Sequence, residues 1–136
     1  MSGTSGDGVD ASVINSDGEG HYKVLINKYF QYPEDISEYI YNIKRKINKI
    51  DDVKKYSSEI NDLDRKITLF HSNVVSEFIK KRNFEIDLIG FHGQTILHKP
   101  EQKLSVQMGN GRLLSQLLKK DVIYNFREND LNNGGE

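Results

Sequence analysis

Three stretches of this 136-residue chain carry side chains of the kind that do chemistry. The first is Gly3-Thr4-Ser5-Gly6-Asp7-Gly8. Glycines at alternate spacings let backbone N–H groups converge on an anion. Thr4 and Ser5 add hydroxyl donors, and Asp7 can hold a magnesium ion directly or through water. The loop has no lysine and no Gly-Lys-Ser/Thr ending, so it is not a Walker A loop. The plain alternative is a glycine-rich terminus that binds nothing. The second stretch is Gly90-Phe91-His92-Gly93-Gln94-Thr95-Ile96-Leu97-His98. It follows an apolar run, and ligands collect at the C-terminal ends of strands in α/β sheets. His92, Gln94 and Thr95 offer a dense polar set there; a hydrogen-bonded polar turn is the alternative. His92 and His98 without cysteine make a weak case for zinc. In the third, Phe126-Arg127-Glu128-Asn129-Asp130, Arg127 can pair bidentately with a phosphate or carboxylate, or form a surface ion pair with Glu128 or Asp130.

The composition narrows the chemistry. The chain holds 19 basic and 20 acidic residues, for a net charge of −1. That balance argues against a nucleic-acid module, which needs a basic face, and gives no reason to invoke a membrane surface. The absence of cysteine removes disulfides, thiolate zinc sites and thiol catalysis, and fits a reducing compartment. No apolar run reaches the roughly 18 residues of a spanning helix. The N-terminus lacks the basic and apolar regions of a signal peptide, so a soluble cytoplasmic chain is expected. The apolar share is 36%, low for a globular chain, but aromatics at 10% still supply a core. The length suits one domain.

The elements that must position these residues follow from pattern. All 11 glycines fall outside the stretch from His21 to Ile89, which should therefore hold regular elements. Val9 to Ile14 and Tyr22 to Tyr32, joined by Asn15-Ser16-Asp17-Gly18-Glu19-Gly20, predict two antiparallel strands. Pro33-Glu34-Asp35 starts a helix whose apolar residues, Ile36, Tyr39, Ile40, Ile43, Ile47 and Ile50, recur at helical spacing. Lys44, Arg45, Lys46 and Lys49 suit the negative end of its dipole. Ser57 or Ser58 caps a longer helix to about Arg82, with a stripe of Ile60, Leu63, Ile67, Phe70, Val74, Val75 and Phe78. His71 falls off that stripe and is expected at the surface. Ile86 to Phe91 predicts a strand buried on both faces. Leu104 to Met108 predicts another strand, Arg112 to Lys120 a short helix, and Val122 to Phe126 a last strand. The fold class is α/β, with an antiparallel start and a later strand–helix–strand unit.

Four segments in this order resemble the anhydro-N-acetylmuramic acid kinase family: residues 1–10, Phe91 to Pro100, Val106-Gln107-Met108-Gly109, and Asn125-Phe126-Arg127 through Gly135. The resemblance implies a ribonuclease H-like fold of the actin, sugar kinase and Hsp70 ATPase type, with a mixed sheet and flanking helices. Two such domains surround a cleft. It implies ATP-dependent phosphorylation of 1,6-anhydro-N-acetylmuramic acid, with hydrolytic ring opening to N-acetylmuramic acid 6-phosphate, a step of peptidoglycan recycling. Gly3, Thr4, Ser5, Gly6, Asp7, Gly8, Val9 and Asp10 match the ATP-binding loop, with Asp7 toward magnesium. His92, Thr95 and Arg127 match segments on the sugar side. The family's catalytic base is an aspartate of a later phosphate segment, expected beyond Glu136, so Asp7 is not that base.

Three departures shape the expectation for the chain itself. The strand that precedes the first loop in the family is missing. Gly134-Gly135-Glu136 replaces the start of the family's Gly-Gly-Gln-Gly-Ala-Pro-Leu, and Asn125 stands where the family usually has aspartate. Residues 1–136 are thus expected to form a partial N-terminal domain truncated at both ends, without the second domain. Such a chain is expected to be inactive alone. It would work with a complementing C-terminal kinase chain, or be a non-catalytic remnant or interaction fragment of a split or decayed gene.

Overall fold

The computed structural model describes residues 5–82, 84–102, 104–127, 130 and 133. The chain opens with a long antiparallel hairpin, β1 (Gly8–Ser16) and β2 (Tyr22–Gln31), in register from Gly8 opposite Gln31 to Ser16 opposite Tyr22. Its turn is closed by Asp17, whose carboxylate accepts the N–H groups of Glu19, Gly20 and His21. This is the self-capping that makes aspartate a turn residue. A bulge between Val13 and Ile14 breaks the alternation, and the outer half of the hairpin is exposed.

Pro33 sets the start of α1 (Glu34–Lys46), with Glu34 and Asp35 in the first turn and Lys44, Arg45 and Lys46 in the last. Both charge sets complement the helix dipole. The expected run to Ile50 stops four residues early, because Ile47 is extended (φ −103°, ψ 110°). Ile47 still reaches the core, but Ile50 is exposed. Ile50 instead opens α2 (Ile50–Lys55), started by the Asp52 carboxylate, which accepts the N–H groups of Asn48 and Lys49. The longest helix, α3 (Ser57–Arg82), follows as the serine pair predicts. Tyr39 donates to the Glu59 carbonyl at 3.1 Å, and Lys46 pairs with the Glu59 carboxylate, tying α1 to the start of α3.

Beyond α3 come β3 (Leu88–Phe91), β4 (Gln94–Lys99), a 3-10 turn at Pro100–Gln102, β5 (Leu104–Met108), α4 (Gly111–Leu118) and β6 (Asp121–Tyr124). β3 and β6 pair in parallel, while β4 and β5 form a second antiparallel hairpin. The architecture is mixed α/β, with three two-stranded ladders among the described residues in place of one continuous sheet. Two strand expectations are corrected. β3 is not buried on both faces: Leu88 is 51% exposed, and only Phe91 is buried. Gln94–Lys99 is a strand and not a turn, because its backbone finds a partner in β5, from Gln94 opposite Met108 to Lys99 opposite Leu104.

The core joins α1, α3, the base of the first hairpin and the second hairpin. Ile36, Ile40, Ile43 and Ile47 meet Ile60, Leu63 and Ile67, with Val9, Tyr32, Ile96 and Met108 beside them. Each such side chain contributes on the order of 1.5–3 kcal/mol by leaving water. His71 belongs to this interior, contrary to the expectation of a surface position. It is 5% exposed, its ring meets Phe91 edge-on at 5.0 Å, and Nδ1 lies 2.8 Å from the Ile67 carbonyl oxygen. It faces the second layer that β3 adds, which periodicity along α3 alone does not reveal.

Candidate functional site

The first loop enters β1 at Gly8. Gly3 and Thr4 lie outside the described residues. Gly6 has φ +78°, and a Cβ there would stand 2.8 Å from Ile40 Cγ2 and 4.0 Å from Gln94 Nε2. The loop backbone therefore rests directly on α1 and against the start of β4. The Asp7 carbonyl accepts the Tyr32 N–H at 2.9 Å, anchoring the loop to the end of the hairpin. The Asp7 carboxylate is exposed and accepts a hydrogen bond from Ser5 Oγ. That hydroxyl, together with the N–H groups of Asp7 and Gly8, holds its carboxyl below the usual carboxylate range. Asp10 is exposed beyond it, whereas the Val9 side chain is 2% exposed and belongs to the core. Val9 can face a ligand only through its backbone.

Tyr29 is a residue that sequence reasoning missed. It pairs with Asp10 across the hairpin, and its ring lies over Gly8, where a Cβ would come within 2.5 Å of the phenol oxygen. Partial burial first, then the Asp7 and Asp10 charges, raise the Tyr29 hydroxyl above its ordinary value. It stays a neutral O–H donor beside two carboxylates. The signal that finds it is the hairpin register, which pairs Tyr29 with Asp10 and so sets its ring diagonally across from Gly8, itself paired with Gln31; the sequence alone leaves that register open.

On the other side, His92 is half-buried, with Nδ1 3.1 Å from the Gly93 carbonyl oxygen. Thr95 is 6% exposed on β4, and its Oγ1 lies 3.4 Å from Gln107 Nε2 on β5. Gln94 is fully buried and donates to the Thr95 carbonyl at 3.1 Å. Arg127 follows β6 and lies 3.9 Å from Asp130. Because Tyr124 pairs with Phe91 in the parallel ladder, His92 and Arg127 both leave from the same strand end. Gln94 links the two halves: its amide borders Gly6, and its chain neighbours are Gly93 and Thr95. The first loop and the His92–Thr95 segment thus meet, while Arg127 approaches only through β6.

The chemistry of the donor set fits magnesium. An exposed, ionised Asp7 with hydroxyl oxygens nearby is a hard-oxygen set. Among the described residues, no group of three or more His, Cys, Asp or Glu side chains could form a full cage. Magnesium characteristically needs only one or two carboxylates plus phosphate oxygens and water. Among the described residues, no helix is long and apolar enough to cross a membrane.

Fold and site together define a mixed α/β protein in which a glycine-bearing acidic loop abuts a polar strand start. A family model described as anhydro-N-acetylmuramic acid kinase matches residues 1–136, and the chain belongs to that family. It is 54% identical over 136 residues to an anhydro-N-acetylmuramic acid kinase of Pelagibacter ubique. Proteins of the same name from Agrobacterium fabrum and Rhizobium etli are 37% and 33% identical over 139 and 142 residues. Each match covers all of this chain, which spans 36 to 38% of the length of these relatives.

Proposed function

We propose that the chain supplies one wall of the cleft of an ATP-dependent kinase for 1,6-anhydro-N-acetylmuramic acid. The fold it contributes to is ribonuclease H-like, and residues 1–136 are part of its N-terminal domain. The observation that carries this reading is the adjacency of Gly6 and Gln94, with a Gly6 Cβ only 4.0 Å from the Gln94 amide nitrogen. It puts the acidic loop next to the segment that carries His92 and Thr95. The antiparallel opening hairpin, followed by helices and a parallel strand pair, supports the fold assignment.

In this reading, Ser5 to Asp10, continuing Gly3 and Thr4, present backbone and hydroxyl donors to the phosphates of ATP. Asp7 holds magnesium, and Tyr29 adds a neutral donor. When bound, magnesium supplies neutralisation of charge on the phosphate oxygens. His92 and Thr95 orient the sugar, and Arg127 offers a positive group at the same end. The acceptor is a water-opened anhydro ring, and the product is N-acetylmuramic acid 6-phosphate. The place of action is the cytoplasm, where ATP is available.

Phosphoryl transfer depends on positioning from both walls of a cleft. The base and the second domain belong to polypeptide beyond these 136 residues, so the chain by itself turns nothing over. The test mixes it with the complementary part of the Pelagibacter ubique relative and assays phosphorylation of the anhydro sugar. Product is expected from the mixture and from neither part alone. Turnover by the purified 136-residue chain, or no product with both parts folded, sinks the reading.

A further inference from the structure

Two side chains of α3 reach across to the turn between β5 and α4. Asp64 Oδ1 accepts the Gly109 N–H at 2.6 Å, and Thr68 Oγ1 accepts the next N–H, that of Asn110, at 2.9 Å. The Thr68 hydroxyl proton goes back to the Asp64 carbonyl at 2.7 Å, so one hydroxyl is used as both donor and acceptor. Thr68 is 0% exposed. Asp64 and Thr68 stand one helical turn apart, the spacing that lets two side chains address two successive N–H groups. Asn110 in turn caps α4, its Oδ1 accepting the Leu113 N–H at 2.9 Å.

The turn they hold is packed against the proposed sugar side. Gly109 has φ +127°, and a Cβ on it would stand 2.8 Å from Phe91 Cε1 and 3.5 Å from Gly93 Cα. A Cβ on Gly93, at φ +73°, would run into the Met108 carbonyl oxygen. The 108–109 backbone is therefore seated on the Phe91 ring and on the Gly93 backbone, too closely for a Cβ on either glycine. A displacement of Gly109 has to be passed on to His92, Gln94 and Thr95, because close-packed backbone leaves no slack.

We propose that Asp64 and Thr68 are positioning residues that hold the Gly109–Asn110 turn and, through the Gly109–Gly93 contact, set the geometry of His92 to Thr95. What binds there rests on the kinase reading above; the mechanical coupling does not. The effect falls first on His92 to Thr95 and reaches the loop at Ser5 to Gly8 only through Gln94, whose amide borders Gly6.

The test compares amide spectra of the 15N-labelled chain as wild type, Thr68→Val, Thr68→Ser and Arg65→Ala, the last on the exposed side of the same helix. Thr68→Val removes the acceptor at nearly constant shape. It is expected to move the amides of Gly109 and Asn110 and, with them, Gly93 and Thr95. Thr68→Ser restores all four, and Arg65→Ala moves none. Movement of Gly109 and Asn110 with Gly93 and Thr95 unmoved overturns the proposal. If Thr68→Val does not fold, Asp64→Asn, which replaces a charge-assisted bond with a neutral one, carries the same comparison with smaller shifts.

A second arm titrates 1,6-anhydro-N-acetylmuramic acid into the same proteins. Thr68→Val is expected to weaken sugar binding about tenfold, the loss of one buried hydrogen bond, with recovery in Thr68→Ser. Equal affinity in wild type and Thr68→Val overturns the positioning role. No sugar binding by wild type counts against the kinase reading alone, and the amide comparison then decides the coupling.

Discussion

Gly93 and Gly109 pass each other closely beside the Phe91 ring, a Cβ on Gly109 lying 3.5 Å from the Gly93 Cα. Both have positive φ, +73° and +127°. This crossing joins the turn after β3, which carries His92, to the turn after β5. Glycine is required twice over, once for the left-handed backbone and once for the approach.

The two requirements separate by mutation. Gly93→Ala meets both the backbone penalty and the Met108 carbonyl oxygen, whereas Gly18, at φ +78°, has nothing within 4 Å of a Cβ. The left-handed region alone costs an alanine about 1–2 kcal/mol, which Gly18→Ala should lose. Gly93→Ala should lose a further ~1–3 kcal/mol from the clash. Urea denaturation of the two variants measures the difference. Equal losses would mean that the crossing relaxes freely.

His71 makes a second prediction, in pH. Burial pushes its imidazole from 6.5 down to about 4, against the raising effect of the Ile67 carbonyl. The folded state thus binds this proton less well than the unfolded state. The stability contributed by neutral His71 is fully present above pH 6.5 and is lost as pH falls through about 4. At 1.36 kcal/mol per pH unit, the loss is on the order of 3 kcal/mol. Asp7, Asp17 and Asp52 have lowered values and lose their contributions only below the ordinary carboxylate range, while the raised Asp64 works in the opposite sense. His71→Leu should flatten the stability profile between these limits. A variant with the same acid slope as wild type would place the titrating group elsewhere.

How far the sequence reaches is clear from particular elements. Pro33 with two acids, the serine pair at 57–58 and the alternation in Leu104 to Met108 carry local information: α1 and α3 begin, and β5 forms, where they predict. What depends on a partner is less legible. Ile47 keeps helical spacing and packs in the core, yet its backbone has already left the helix. His71 is off the helix stripe and still buried, because Phe91 covers it from another element. Thr95 lies in a strand because β5 comes back to pair with it, which a glycine-rich polar stretch does not announce. In the site, Asp7 stands out by type and spacing. Tyr29, Asp64 and Thr68 enter it only through register and helix packing.

Asp7 and Tyr29 test the nucleotide side. Asp7 is exposed, Tyr29 is 48% exposed, and surface substitutions usually change stability by only about 0.5 kcal/mol, so both variants should fold. Asp7→Asn should weaken magnesium-dependent ATP binding by about tenfold or more, since the ionised ligand is lost. Tyr29→Phe, which deletes one neutral donor, should cost only a few-fold, about 0.5–1.5 kcal/mol. Calorimetric titration with and without magnesium reads both. Unchanged magnesium dependence in Asp7→Asn would remove the ion from this loop.

The parallel pair β3 and β6 carries the last prediction. Leu88 and Gly90 face the same side as Asp121 and Ile123, to which they are paired, and Phe126 lies 3.7 Å from where a Gly90 Cβ would be. Leu88, Ile123 and Phe126 are 51%, 48% and 44% exposed. Parallel strands normally have both faces covered, so this side is an apolar surface in water. An environment-sensitive dye should bind the isolated chain. Ile123→Lys should reduce that binding while changing stability by no more than about 0.5 kcal/mol, because the replaced side chain is already half in solvent. If this face is where the rest of a kinase packs, the same variant should also lower product in the two-part mixture. Full complementation by Ile123→Lys would show that the two parts assemble without this face.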